Sequence, residues 1–180
     1  MTQQQGYYRY PTIFGDRIVF VCEDDLWEVS RKGGRAVRLT TNLGWAGHPR
    51  FSPDGKTLAF TGLEEGQPEI YTMPSQGGAL KRLTYLGAIM TSALGWSKDG
   101  KSILLRSNHG RPIIRQTTIF SQPINGGLPR DLGYGVATEI AFGPGKGVVL
   151  ARWTGDPARW KRYRGGRAGV SRARPSRQAG

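Results

Sequence analysis

Two histidines, one cysteine and two short runs of carboxylates are the residues of this 180-residue chain that could do chemistry. Nucleophilic hydrolysis needs a serine or cysteine with a base in reach and a third group to orient the base. His48 stands at a strand start beside Pro49, and His109 lies in the polar stretch Ser107-Asn108-His109-Gly110. No partner motif accompanies either: the sequence has no Gly-x-Ser-x-Gly and no His-Glu-x-x-His. Structural or solvent-facing roles are expected for both, and no catalytic residue is assigned. Cys22 is the single cysteine, so an intramolecular disulfide and a cysteine metal cluster are excluded. It reads as a small hydrophobe in a strand. Glu23-Asp24-Asp25 and Glu64-Glu65 lack the alternating oxygen ligands of a calcium loop and read as solvated turns. No metal site and no cofactor site are expected.

The net charge of +13 invites a nucleic-acid reading, but it is unevenly placed. From Arg152 onward nine bases face one acid, Asp156, while residues 1–151 carry 17 bases and 12 acids. Arg159, Lys161, Arg162, Arg164, Arg167, Arg172, Arg174 and Arg177, with Trp160 and Tyr163 between them, could contact phosphates and stack bases. Charge alone speaks to non-specific association, so no specific nucleic-acid partner is expected. No apolar run approaches the 18 or so residues that a membrane span needs, and no membrane partner is expected. The start, Met1-Thr2-Gln3-Gln4-Gln5, has neither a basic nor an apolar leader region, which points to the cytoplasm.

The elements around these residues are short strands. Gly (27) and Pro (11) make about a fifth of the chain, favouring turns over long helices. His48-Pro49-Arg50-Phe51 leads into the turn Ser52-Pro53-Asp54-Gly55, and Thr57 to Thr61 resumes a strand. The first unit runs through Ile18-Val19-Phe20-Val21, Leu26-Trp27-Glu28-Val29 and Ala36-Val37-Arg38-Leu39-Thr40, with loops too short for crossover helices. Later units repeat this order, the third with an insertion from Asn108 to Gln116.

The repeat can be counted. Phe51, Trp96 and Phe142 precede three hairpin turns at spacings of 45 and 46, and Gly-Gly pairs begin at 33, 77, 126 and 165. A period of 40–50 with four strands per unit marks a β-propeller. The expected fold is therefore all-β, with four-stranded antiparallel blades at about 7–41, 46–85, 91–133 and 137–166. Phe51, Trp96 and Phe142 are expected between blades.

The Ser-Pro-Asp-Gly-Lys hairpin followed by Gly-Gly and Arg-Leu-Thr resembles the repeat shared by TolB-like and tricorn-type propellers. More specifically, Gly6-Tyr7-Tyr8-Arg9-Tyr10-Pro11, Gly15-Asp16, Ile18-Val19-Phe20-Val21 and Glu23-Asp24-Asp25-Leu26-Trp27 look like the start of tricorn-type proteases. His48-Pro49-Arg50-Phe51, Arg82-Leu83-Thr84-Tyr85-Leu86-Gly87 and the stretch from Thr154 to Gly166 extend the resemblance over residues 6–166. It implies about four blades of a six-bladed N-terminal propeller, with the catalytic serine and its partners in a later part of the protein. It further implies a cytoplasmic serine peptidase that assembles as a hexamer and trims oligopeptides, this region supplying scaffold and peptide-channel surface. The alternative is a stand-alone TolB-like propeller acting as a protein-interaction module. Arg167 to Gly180 departs from the resemblance and reads as a basic, disordered tail, as an out-of-frame or truncated coding sequence would give.

Overall fold

The turns carry their own hydrogen-bond partners, and that sets where each strand ends. In Ser52-Pro53-Asp54-Gly55 the Gly55 N–H donates to the Ser52 carbonyl at 2.9 Å. The Ser52 hydroxyl donates to Asp54 Oδ1 at 2.6 Å and accepts from the Thr57 N–H at 3.0 Å. Ser97 to Ser102 repeats the same set, with Ser97 donating to Asp99 at 2.6 Å and accepting from Ser102 at 2.9 Å. Gly55 and Gly100 both take φ of +70°, the left-handed position that the turn requires.

The computed structural model describes residues 6–41, 44–143 and 147–152, with the backbone of 170–175. Strands β1 (Arg9–Phe14), β2 (Arg17–Cys22), β3 (Asp25–Ser30) and β4 (Val37–Arg38) form one sheet in chain order. A second holds β5 (Ala46–Phe51), β6 (Thr57–Gly62), β7 (Glu69–Pro74) and β8 (Lys81–Arg82). A third holds β9 (Thr91–Trp96), β10 (Ser102–Ser107), β11 (Thr118–Pro123) and β12 (Arg130–Asp131). β13 (Glu139–Phe142), β14 (Gly147–Arg152) and β15 (Val170–Pro175) make the fourth, and every pairing is antiparallel.

β15 corrects one expectation. Residues 170–175 lie inside the supposed disordered tail of 167–180, yet they pair with the whole of β14, from Gly147↔Pro175 to Arg152↔Val170. The fourth blade therefore does not stop at 166. Low apolar content misled because an outer strand is held by main-chain N–H and C=O groups, which β14 would otherwise leave unpaired along one edge. Arg159 to Gly166, also assigned to that blade, lie outside the described residues.

Side-chain alternation builds three cores between successive sheets. Val19, Val21 and Leu26 of the first sheet meet Ala46, Leu58, Phe60, Tyr71 and Met73 of the second. The other face of the second sheet gives Ala59, Ile70 and Leu83 to a core with Ala93, Ile103, Leu105 and Phe120. Ile119, Tyr134 and Ala137 then meet Val148 and Leu150. Along β6 and β7, neighbouring residues thus serve opposite neighbours, as the two-residue period dictates. Phe51 packs on the first core, and Trp96 on the second, where its indole N–H donates to the Arg50 carbonyl at 3.0 Å. Phe142 does not follow: it closes β13 and is 37% exposed.

Successive blades also interlock at the turns. The Phe14 ring lies directly over Gly55, where an added Cβ would stand well inside contact distance, while Pro53 lies over Gly100. Gly55→Ala should therefore cost about 1–3 kcal/mol, through both the positive φ and the displaced ring. Urea denaturation measures it, and Gly15→Ala, also at positive φ but with open space around it, isolates the backbone part.

Candidate functional site

The innermost strands carry a repeated irregularity. β1 pairs Arg9↔Val21 and then Thr12↔Val19, β5 pairs Gly47↔Thr61 and then Arg50↔Ala59, and β9 pairs Gly95↔Leu104 and then Ala93↔Leu105. Each strand has one residue more than its partner over the same interval, which is a β-bulge. Tyr10 and His48 sit in two of these bulges with φ of +50° and +51°. A left-handed backbone at a non-glycine residue costs on the order of 1–3 kcal/mol and persists only where the surroundings hold it. Both residues precede proline, whose missing N–H leaves no donor orphaned by the broken ladder. In β9 the Ala93 N–H is taken by the buried Thr61 hydroxyl at 2.9 Å.

Side chains from four blades come together beside the bulges of β1 and β5. The Tyr10 and His48 rings lie 4.0 Å apart between centroids, and Trp45 stands 5.8 Å from His48 and 6.4 Å from Tyr10. Arg50 reaches to the next blade, donating through Nε to the Leu94 carbonyl at 2.9 Å. Arg106 makes the same move one blade on, donating through Nη1 to the Thr138 carbonyl at 3.2 Å, with Glu139 Oε1 at 3.6 Å. Burial, then Arg106 and Arg50, push the His48 imidazole down to about 4, so it is neutral at physiological pH. Burial also lowers the Arg50 guanidinium, opposed by the Glu139 carboxylate.

The other singled-out residues are elsewhere. His109 is exposed, its Nδ1 3.0 Å from the Leu86 carbonyl. Cys22 is half-buried and free. Among the described residues no group of three or more His, Cys, Asp and Glu side chains could hold a metal ion. The carboxylate runs divide. Asp24 is in a turn and pairs with Arg9 at 3.1 Å, and Glu65 pairs with Arg82. Asp25, expected in a solvated turn, is instead a buried residue at the start of β3, accepting from the Thr40 hydroxyl at 2.6 Å and from Arg38.

The grouping of Tyr10, Trp45, His48, Arg50, Arg106 and Glu139 was not found from the sequence. Its one visible signal is Tyr10-Pro11 in the first unit and His48-Pro49 in the second, both at the inner strand. What the arrangement offers is a cluster of mutually tilted aromatic rings beside partly buried guanidiniums, suited to binding and lacking a nucleophile paired with a base.

Residues 5–175 match the tricorn protease N-terminal beta propeller domain. The chain is 39% identical over 164 residues to tricorn protease homolog 1 of Streptomyces coelicolor, covering 91% of this chain and 15% of that protein. It is 32% identical to a protein of Sulfurisphaera tokodaii named as a tricorn-like protease N-terminal subunit, covering 94% of this chain and 87% of that one. The crystal structure of the tricorn protease superposes with a TM-score of 0.79 at 31% identity, covering 93% of this chain and 17% of that one. TolB from Acinetobacter baumannii superposes with a TM-score of 0.69 at 24% identity, over 89% of this chain and 38% of that one, a likeness of fold alone. The chain spans about 15% of the length of the Streptomyces relative. The four sheets are blades of a β-propeller, and the chain belongs to the tricorn protease N-terminal propeller family.

Proposed function

We infer that the chain is the non-catalytic propeller portion of a cytoplasmic tricorn-like serine peptidase that trims oligopeptides. It contributes scaffold and peptide-contact surface, within a hexamer when joined to the rest of such a protein. The observation that carries this reading is the family match over residues 5–175, a region that makes up 15% of the Streptomyces tricorn homologue. Its inner strands supply support of a second kind. Propeller blades surround a central channel, and the bulged strands β1 and β5 hold Tyr10 and His48 with a strained backbone, a kind of strain that clusters at ligand-contacting sites.

The test has two arms on the 180-residue chain. Fluorogenic tri- and tetrapeptides should be left uncut, and a serine-reactive fluorophosphonate should leave the chain unlabelled. Turnover that tracks with a serine of this chain and vanishes on its replacement by alanine would overturn the non-catalytic assignment. Labelled oligopeptides of six to twelve residues should bind, by fluorescence anisotropy, and failure to bind at millimolar peptide would remove the contact-surface role.

A further inference from the structure

The inner cluster gathers charged and aromatic side chains from four blades. Arg50 comes from the second blade, Arg106 from the third and Glu139 from the fourth, while Tyr10 belongs to the first. Two guanidiniums against one carboxylate leave a positive surplus, since the His48 ring beside them is uncharged at neutral pH. The Arg106 side chain is 24% exposed, so its charge is only partly screened by water. A guanidinium carries five N–H donors in a fixed fork. Arg50 spends Nε and Nη1 on the Leu94 and Pro49 carbonyls, and Arg106 spends Nη1 on the Thr138 carbonyl. Nη2 of each has no hydrogen-bond partner among the described residues. The Tyr10 and His48 rings, tilted at 46° to each other with Trp45 edge-on to both, stand alongside as an aromatic face.

We propose that this cluster is an anion-accepting subsite for the acidic side chain of an extended peptide, with Arg50 and Arg106 as donors and the Tyr10–His48 ring pair as its wall. The proposal rests on the peptide-contact reading above and sharpens it to one class of side chain. A carboxylate is the acceptor whose geometry the planar fork matches. A phosphodiester chain fits less well. Its affinity comes from neutralising several phosphates in a row, whereas here the surplus is one charge and Glu139, 57% exposed, would repel the next phosphate. The neutral imidazole can donate or accept and costs nothing to desolvate further as a cation, so the ring pair can lie against a peptide backbone.

The test uses the 180-residue chain and a pair of end-blocked peptides, acetylated and amidated, identical except for a central Glu or Gln. Fluorescence anisotropy at low salt should give at least tenfold tighter binding for the Glu peptide, with the preference shrinking as salt rises. Arg106→Gln should bring the two peptides within about twofold of each other, in a protein whose melting curve confirms that it is folded. Arg50→Lys keeps the charge but removes the fork and should lose most of the preference. On the unaltered chain, Trp45 fluorescence or the His48 imidazole resonances should respond to the Glu peptide at concentrations where the Gln peptide has no effect. Equal binding of both peptides would overturn the subsite while leaving the peptide-contact role intact. Binding of neither would remove both. Displacement of the Glu peptide by millimolar inorganic phosphate would make this a general anion site and overturn the assignment to peptide.

Discussion

Glu69→Ala will lower the stability of the chain by about 3–5 kcal/mol, the range for breaking a buried charge pair from one side. Glu69 opens β7 and is fully buried. Its carboxylate accepts from the Thr84 hydroxyl and from the Gly87 N–H at 2.9 Å, and lies 3.4 Å from Arg82 Nη2. Thr84 in turn accepts from the Ile70 N–H at 2.8 Å, and Arg82 donates to the Thr84 carbonyl at 2.9 Å. One carboxylate thus ties the third strand of the second blade to its outer strand β8 and to the loop that leads towards the third blade. Alanine leaves the Thr84 hydroxyl and the Gly87 N–H without their acceptor and takes from Arg82 the more buried of its two carboxylate partners, the other being the exposed Glu65. Small domains have about 5–15 kcal/mol in total, so the variant should sit near the threshold of folding. Urea denaturation followed by tryptophan fluorescence measures it. Glu69→Gln, which keeps an acceptor oxygen for Thr84 or Gly87, should lose clearly less. An alanine variant within 1 kcal/mol of the parent would show that the network is hydrated and that the outer strand is held by its main chain alone.

The same clasp recurs with its charges rearranged. In the first blade Asp25 takes Glu69's place, bound by Arg38 and Thr40, while Thr40 accepts from the Leu26 N–H at 2.9 Å. In the third blade the acid moves to the outer strand. Asp131 stands opposite Phe120, as Arg82 stands opposite Tyr71, and the residue at the start of β11 is Thr118. Asp131 accepts from Thr118 at 3.2 Å, and the cation comes from the insertion, where Arg111 donates to it at 2.6 Å. The insertion from Asn108 to Gln116 therefore completes the lock of its blade.

These clasps show how far the sequence could be read. The blades were legible because alternation, Asp-Gly turns and the spacing of Phe51 and Trp96 are local signals, and local signals set strand and turn. Asp25 was misplaced because a carboxylate beside two others in a turn looks solvated until its partners, Arg38 and Thr40, are brought back to it by the fourth strand. β15 was missed because an edge strand is recognised by the neighbour it pairs with, and that neighbour, β14, is 18 residues away in sequence. The inner cluster was hidden for a related reason. Its members come from four blades, and nothing in the residues around Arg106 states that it reaches Thr138. The strained φ at Tyr10 and His48 could not be foreseen either, since a residue before proline is expected in the extended region.

His48 gives the chain a second vulnerability, read in pH. Its imidazole is held at about 4, against 6.5 for an ordinary histidine, first by burial and then by Arg106 and Arg50. Because the folded value is the lower one, the unfolded chain takes up the proton first. The contribution to stability is complete above pH 6.5 and is lost as pH falls from there through 4. The full shift would correspond to roughly 3 kcal/mol at 1.36 kcal/mol per unit, and partial contact with water brings the expected loss to about 1–2 kcal/mol. Asp54 and Asp99 act in a different window. Each carboxylate is held below its ordinary 3.8 by the hydroxyl of Ser52 or Ser97, so its contribution is lost only in stronger acid. Urea midpoints taken from pH 7.5 to pH 3 should therefore fall in two stages. His48→Asn, a side chain that tolerates the left-handed backbone of this bulge, should flatten the stage between pH 6.5 and pH 4 and leave the more acidic one in place. The Tyr10 ring 4.0 Å away and the Glu139 carboxylate beyond Arg50 would remain, so a fall that persists unchanged in the variant would assign the first stage to a group other than His48.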